Sequence, residues 1–458
     1  MQTTSPRESS TLCSPRLAPR TLHGVFWGLT SCLLLSIASC DGGEAHAREQ
    51  EWKEHPLSMI WISLDTLRAA NLGTYGYERD TSPFLDELAQ RGSYFEWVVS
   101  PQNSTLPSHV TMFTGYHPAV HGVMHSSSIN PGICINDDVT TLPEVLADAG
   151  FATGGWTDGG KMSSTHGFGQ GFELYDDAPT FLPTRLESVL ESIDSVDEGR
   201  PFFFFLQTYQ VHGPYPAPTP YDSLFVTEGE RTEAQEKLDL YDGCIRFVDD
   251  QLREFVTELE RRGVLDRTIL IITGDHGEGF AEYGFDKIGH GSAGLHQNIT
   301  RVPWIMLHPD ERFRGVHHDT LAGLIDFPNT VLPLLGFETV LPGGGVDLHG
   351  PESATPRAYL SANNAGSSLY AGEYHLLESR EKGVTSVEIY NVASDSREER
   401  PLDDPETLGQ LEEQLRVLSS EYEAQAAAIG EGLRDTRPVD EQKKERLFQE
   451  LRTLGYVE

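Results

Sequence analysis

Three short apolar runs, each ending at a residue that carries chemistry, constrain this chain more than any other feature. Met59-Ile-Trp-Ile-Ser-Leu64 runs into Asp65, and Phe202-Phe-Phe-Phe-Phe-Leu206 continues through Val211 to His212. Thr268-Ile-Leu-Ile-Ile-Thr273 runs into Gly274, Asp275 and His276. Runs this short, continuous and rich in β-branched or aromatic residues fit strands buried on both faces, as in a parallel sheet flanked by helices. Between the second and third, Leu238, Tyr241, Ile245, Val248, Leu252, Phe255 and Leu259 alternate spacings of three and four, the stripe of an amphipathic helix. Thr232 and Gln235 supply a capping box at its start, and Gly263 a stop at its end. Strand, long helix, strand is the grammar of a doubly wound α/β sheet, whose ligands sit beyond the carboxyl ends of the strands. Asp65, His212, Asp275 and His276 all fall at those ends.

That placement selects the candidate chemistry. A carboxylate at one strand end and an adjacent Asp–His pair at another offer donors for a divalent cation once the sheet gathers them. Gly277 is expected to let the backbone turn so that Asp275 and His276 face one ion. Read singly, Asp65 also fits a helix N-cap and Asp275 a structural carboxylate of a polar loop. His290, between Gly289 and Gly291, fits a ligand, a leaving-group acid or an exposed loop residue equally well. Thr105-Leu-Pro-Ser-His109 has the shape of a loop entering a helix, with Pro107 in the first turn and Thr105 at or just before the cap. A hydroxyl there faces the positive end of the helix, where a neighbouring cation would turn it into a nucleophile; without one it is a simple cap. His212, before Gly-Pro-Tyr-Pro, either hydrogen-bonds an ester oxygen or closes a proline-rich turn.

Charge narrows the partners. With 34 basic and 70 acidic residues the 458-residue chain carries a formal charge of −36, which leaves no electrostatic footprint for nucleic acid. An anionic substrate therefore needs positive charge built into the site, as a metal ion would supply. At the start, Arg7, Arg16 and Arg20 precede an apolar run from Val25 to Ala38, too short for a comfortable membrane span. Ile37-Ala-Ser-Cys40 resembles a bacterial lipobox, so residues 1–39 read as a signal peptide, Cys40 as the lipidated residue and 40–54 as a tether. An ordinary secretory signal with a chance cysteine is the other reading. Either way the protein is expected to be exported; with the lipid it is anchored to the membrane of the cell envelope. Cys134 and Cys244 then remain, as a disulfide or as two thiols. The expected layout is a catalytic domain over 55–345, a C-terminal subdomain of short strands over 346–403, and a polar helical tail over 404–458. Within the first, residues 320–336 read as a helix with a proline-marked break.

Several ordered stretches resemble the sulfatase family of the alkaline-phosphatase superfamily. They are Ile62-Ser-Leu-Asp-Thr-Leu-Arg-Ala69, Asp80-Thr-Ser-Pro-Phe-Leu-Asp86, Thr105-Leu-Pro-Ser-His109 with Thr114-Gly115, and Val211-His-Gly-Pro-Tyr215. Tyr241-Asp-Gly243 with Val248-Asp-Asp250, Asp275-His-Gly-Glu278, Arg301-Val-Pro303 and Glu388-Ile-Tyr-Asn-Val-Ala393 complete the set. The resemblance implies a three-layer α/β sandwich around a mostly parallel sheet, with a small antiparallel C-terminal subdomain. It implies hydrolysis of sulfate or phosphate esters, with Asp65, Asp275 and His276 on one divalent ion, calcium or magnesium by preference, manganese or zinc otherwise. Thr105 takes the nucleophile's place, His212 and His290 contact the reacting group, and Ser108 and His109 line the substrate.

Two departures from the family pattern shape the expected chemistry. The family's nucleophile is a Cys or Ser that is oxidised to formylglycine, and an Arg follows four residues later; here Thr105 and His109 hold those places. Oxidising a secondary alcohol gives a ketone, not an aldehyde, so no formylglycine is expected. Relatives with a direct Thr nucleophile act on phosphoryl groups. Ala70 and Thr66 stand where many relatives carry Asp, which favours one metal over two. Besides hydrolysis of a small, glycan or lipid-type ester, two other functions fit: transfer of a phospho-head group onto an envelope acceptor, and a non-catalytic lipoprotein that keeps the fold. Loops 124–140, 162–185 and 279–298, where specificity is expected, carry no readable code.

Overall fold

The three apolar runs become the centre of one eight-stranded sheet. In this computed structural model the described residues are 56–123, 134–284, 288–291, 294–381, 383–430 and 433–435. The sheet comprises β1 (Ser58–Leu64), β2 (Ser93–Phe95), β3 (Ala152–Trp156), β4 (Leu174–Asp176), β5 (Phe202–Thr208), β6 (Thr268–Gly274), β7 (Trp304–Leu307) and β8 (Val316–His318). Their spatial order is β8-β2-β7-β6-β1-β5-β3-β4. β1 pairs in parallel with β5 and β6 on its two sides, so that Trp61 lies opposite both Phe205 and Ile271. Only β7 runs against its neighbours, and the sheet is otherwise parallel.

Alternation along these strands divides the core into two layers. Met59, Trp61, Phe203, Phe205, Ile269 and Ile271 face one side, against Val110, Met112 and Phe113 of helix Thr105–Thr114 and Phe327 and Val331 of helix Phe327–Leu334. Ile60, Ile62, Phe204, Leu206, Leu270 and Ile272 face the other, against Phe84, Leu85 and Leu88 of helix Pro83–Arg91 and the apolar stripe of helix Glu233–Arg261. Helix, sheet, helix is the expected three-layer α/β sandwich, its central strands buried along their whole length between the two helical layers. In chain order we label the helices α1 (Pro83–Arg91), α2 (Thr105–Thr114), α3 (Leu182–Ser195), α4 (Glu233–Arg261), α5 (Phe327–Leu334) and α6 (Pro405–Ile429).

The capping box of Thr232 and Gln235 forms at the start of α4, and Gly263 follows its end at φ 70°. On the same helix Asp249 accepts the backbone N–H groups of Phe84 and Leu85 at 2.8–3.0 Å, so one residue of the Val248-Asp-Asp250 motif caps α1 from outside. Residues 320–336 begin as a two-residue strand, Ala322–Gly323, and only then become helical as α5, with Pro333 inside it. Four antiparallel strands follow, β9 (Ala358–Asn363), β10 (Gly366–Ala371), β11 (Tyr374–Glu381) and β12 (Val384–Asn391). Ala362 N–H to the Pro101 carbonyl (3.2 Å) and Thr300 to the Tyr370 hydroxyl (2.9 Å) join this sheet to the main body. Cys244 is buried in α4 and Cys134 lies on strand Cys134–Ile135; no disulfide joins them. The signal segment, Cys40, the tether, most of loop 124–140, parts of loop 279–298 and the tail beyond 435 fall outside the described residues. Among the described residues no helix is long and apolar enough to cross a membrane.

Candidate active site

The parallel register carries the ends of β1 and β6 to the same level, since Leu64 lies opposite Gly274. Asp65 and Asp275 are therefore neighbours although 210 positions apart in the chain. One oxygen of each carboxylate and one His276 nitrogen all lie within 4.8 Å of one another, and all three side chains are fully buried. Asp65 is not a helix cap: the next helical turn begins at Ala69, with Arg68 at its cap position. Instead the chain turns at Thr66, whose φ of 60° is rare for a β-branched residue, and the Thr66 N–H donates to Asp275 Oδ1 at 3.1 Å. The His276 N–H donates to the same oxygen at 2.8 Å. Gly277 is required for close approach rather than for an unusual φ, because a Cβ there would come within 1.9 Å of the Asn298 carbonyl.

What these bonds leave over defines the site. Asp65 Oδ1 and Asp275 Oδ2 are buried without a hydrogen-bond partner. Burial, reinforced by the charge of Asp275, holds the Asp65 carboxyl well above its usual range. Burial also works against ionised Asp275, but His276, His109 and the two backbone N–H groups prevail and hold it low. The His276 Nδ1 lies 2.9 Å from the Gly277 carbonyl, which only accepts, so Nδ1 carries the proton and the Nε2 lone pair points inward. Two carboxylates and a neutral imidazole aimed at one point, with two oxygens unsatisfied, fit a divalent cation.

Thr105 is the first residue of α2, one position inside the Ser104 cap, and it does not cap the helix. Its Oγ1 lies 3.4 Å from His276 Nε2, and its side chain hydrogen-bonds Asp65. The nucleophile candidate thus meets two of the three ligand candidates, His276 and Asp65. Around them, the His276 and His290 ring centroids are 4.4 Å apart and those of His212 and His290 5.3 Å. Glu278, fully buried, lies 3.2 Å from His290 Nδ1. Burial disfavours both charges, yet each holds the other: Glu278 is kept down at about 2 and His290 is raised. Burial, with His290 next, lowers His212 to about 4.

Ser108 and His109, expected to line the substrate, turn their polar atoms inward. His109 donates from Nδ1 to the Thr105 carbonyl (2.8 Å) and receives Ser63 Oγ at Nε2 (2.9 Å). Ser108 bonds Ser100 and the Gln102 carbonyl, both at 3.2 Å. The pair holds the start of α2 against the ends of β1 and β6. Beyond β3, burial lowers the Lys161 ammonium to about 8, and its positive charge works against protonation of His290. Sequence reasoning missed Lys161 because Ala-Thr-Gly-Gly-Trp does not read as an apolar strand; the signal was Gly159-Gly-Lys161 after it. Glu278 stood within a recognised motif but drew no role.

The sulfatase family model matches residues 58–337, more than half of the chain. The chain belongs to the sulfatase family. It is an ester hydrolase of the sulfate or phosphate class. Bovine (Bos taurus) arylsulfatase A is 24% identical over 387 residues, covering 70% of each chain. Among solved structures, the phosphonate monoester hydrolase of Agrobacterium radiobacter superposes with a TM-score of 0.65 at 16% identity, over 83% of this chain and 97% of that one. A protein solved with its substrate D-glucosamine-2-N,6-O-disulfate also gives 0.65, at 15% identity, over 82% of this chain and 99% of that one. At such identities these likenesses establish the alkaline-phosphatase-like fold.

Proposed function

We propose that the protein is a metal-dependent ester hydrolase in which Thr105 is the nucleophile and Asp65, Asp275 and His276 hold one divalent ion. The observation that carries the reading is the pair of unpartnered buried oxygens, Asp65 Oδ1 and Asp275 Oδ2, beside the Thr105 hydroxyl. Bound there, the ion supplies the positive charge that activates a hydroxyl and offsets charge on the ester oxygens. Thr105 Oγ1 attacks sulfur or phosphorus, its proton passing to solvent, and the bond to the leaving oxygen breaks. His290 protonates that oxygen; it is favoured because its Nδ1 faces the Glu278 carboxylate, which helps it hold a proton. Water then cleaves the Thr105 ester. Lys161 helps hold the anionic group. With a secondary alcohol at position 105, direct attack suits phosphate and phosphonate esters better than sulfates. The imidazole donor admits manganese or zinc beside calcium and magnesium.

The test is a screen of aryl phosphate mono- and diesters, phosphonates and sulfates with each of these ions, with Thr105→Ala as control. Thr105→Ala is expected to lower turnover by at least ~10³-fold while divalent-ion binding persists. Unchanged turnover removes Thr105 from the mechanism. Products analysed with added alcohols distinguish hydrolysis from head-group transfer. The glycan disulfate held by one structural neighbour puts sugar esters on the same panel. Export and lipidation at Cys40 complete the proposal; Cys40→Ala should shift the protein from the membrane to the soluble fraction.

A further inference from the structure

Tyr241 belongs to no ligand or nucleophile set, yet one buried hydroxyl on α4 fixes the turn that carries Asp65. Its Oη donates to the Thr66 carbonyl at 2.7 Å and accepts the Arg68 N–H at 2.9 Å. Thr66 is thereby held at φ 60°, a conformation that costs a β-branched residue energy and persists only where neighbours impose it. In that conformation its N–H reaches Asp275 Oδ1, at 3.1 Å. The Tyr241 ring also packs against the second ligand loop, 5.1 Å from Phe280, and against Tyr215 of the His212 turn, 5.8 Å between centroids. Arg68, whose guanidinium grips Glu282 with two bonds of 2.9 and 3.1 Å, ties the same two loops on the outer side.

We propose that Tyr241 is a positioning residue: by bracing the Thr66 turn against the Asp275 loop, it sets the divalent-ion affinity of the site. The proposal rests on the metal reading above. Without the hydroxyl, the Thr66 carbonyl and the Arg68 N–H lose a shared partner. The strained turn then relaxes, and the N–H that orients Asp275 swings away. Outer residues of this kind commonly set metal affinity through the ligands they orient.

The test compares the purified full chain with Tyr241→Phe, which keeps the ring packing, and with Tyr359→Phe. Tyr359 donates to Asp326 at 2.6 Å and so reports the generic loss of a buried hydroxyl bond elsewhere. Titration with manganese and with magnesium by calorimetry should show Tyr241→Phe binding ~10–100-fold more weakly. The ion concentration giving half-maximal turnover should rise by the same factor, and excess ion should restore kcat. Tyr359→Phe should leave ion affinity unchanged. Equal affinity in Tyr241→Phe and wild type overturns the bracing role and leaves the metal reading intact; a wild type that binds neither of these ions, nor calcium nor zinc, overturns the metal reading itself. Should Tyr241→Phe fail to fold, hydrogen exchange on the wild type decides. Added ion should protect the Arg68 and Thr66 amides together, and an Arg68 amide indifferent to the ion overturns the proposal.

Discussion

Two buried clusters in this protein contain the same kinds of side chain and do opposite things with them. At the end of β1 and β6, Asp65, Asp275, His276 and a hydroxyl meet, and two carboxylate oxygens are left without partners. In the small sheet, Ser368, His375 and Glu398 form a chain in which every link closes. Ser368 Oγ lies 2.6 Å from His375 Nε2, and His375 Nδ1 lies 2.5 Å from Glu398 Oε1. Glu398 Oε2 also accepts the Gln297 N–H at 3.1 Å. By residue type the second cluster looks like a catalytic triad, but Ser368 and His375 are 0% exposed and no polar end is left over. Burial works against charge on both carboxyls, but His375 holds Glu398 low, whereas Asp275 pushes Asp65 further up. Satisfied, such a network ties one layer to another; unsatisfied, it keeps binding capacity for something absent from the chain.

The contrast has opposite consequences for mutation. Asp65→Asn should abolish turnover, by ~10³-fold or more, and weaken divalent-ion binding, yet raise the stability of the metal-free protein. The sign follows from linkage. The folded-state pKa of Asp65 lies above its unfolded value, so its ionisation costs stability once pH rises past the unfolded value. Removing that cost should add about 1–2 kcal/mol near neutral pH, read by urea denaturation in the presence of a chelator. Loss of stability on this substitution would break the comparison. Glu398→Gln should do the reverse. It leaves either His375 Nδ1–H or the Gln297 N–H without an acceptor, costing about 1–3 kcal/mol with kcat on a model ester unchanged. A kcat that collapses with intact fold would give the Ser368 cluster a part in the chemistry. The smallest effect concerns the positive side of the site. Lys161 is charged below about 8, so kcat/KM should fall as pH rises through that value. Lys161→Arg, charged throughout, should push the falling limb to higher pH. An unmoved limb would take Lys161 out of substrate binding.

Much of the fold was legible because the relevant signals are local. The runs at 58–64, 202–208 and 268–274 are apolar on both faces, which only a doubly covered strand can use. The α4 stripe and its capping box likewise belong to contiguous residues. A glycine-rich strand such as Ala-Thr-Gly-Gly-Trp carries little hydrophobic signal of its own and was not read, so Lys161 beyond it was missed. His109 and Ser108 were assigned to substrate by analogy of position; which way a short polar side chain turns depends on partners such as Ser63 and Ser100, distant in sequence.

The sequence by itself determined that strands would end at Asp65 and Asp275–His276, because periodicity and chain stiffness act over a few residues; the strand expected to reach His212 stops at Thr208, and His212 lies in the turn that follows. Only the tertiary structure decided which acids would be neutralised by neighbours and which would be left with open oxygens. That depends on register across the sheet, on a turn held at positive φ and on a hydroxyl reaching over from α4. Those are distances between residues far apart in the chain, and the free energy of a buried charge is set by such distances and not by the identity of the residue that bears it.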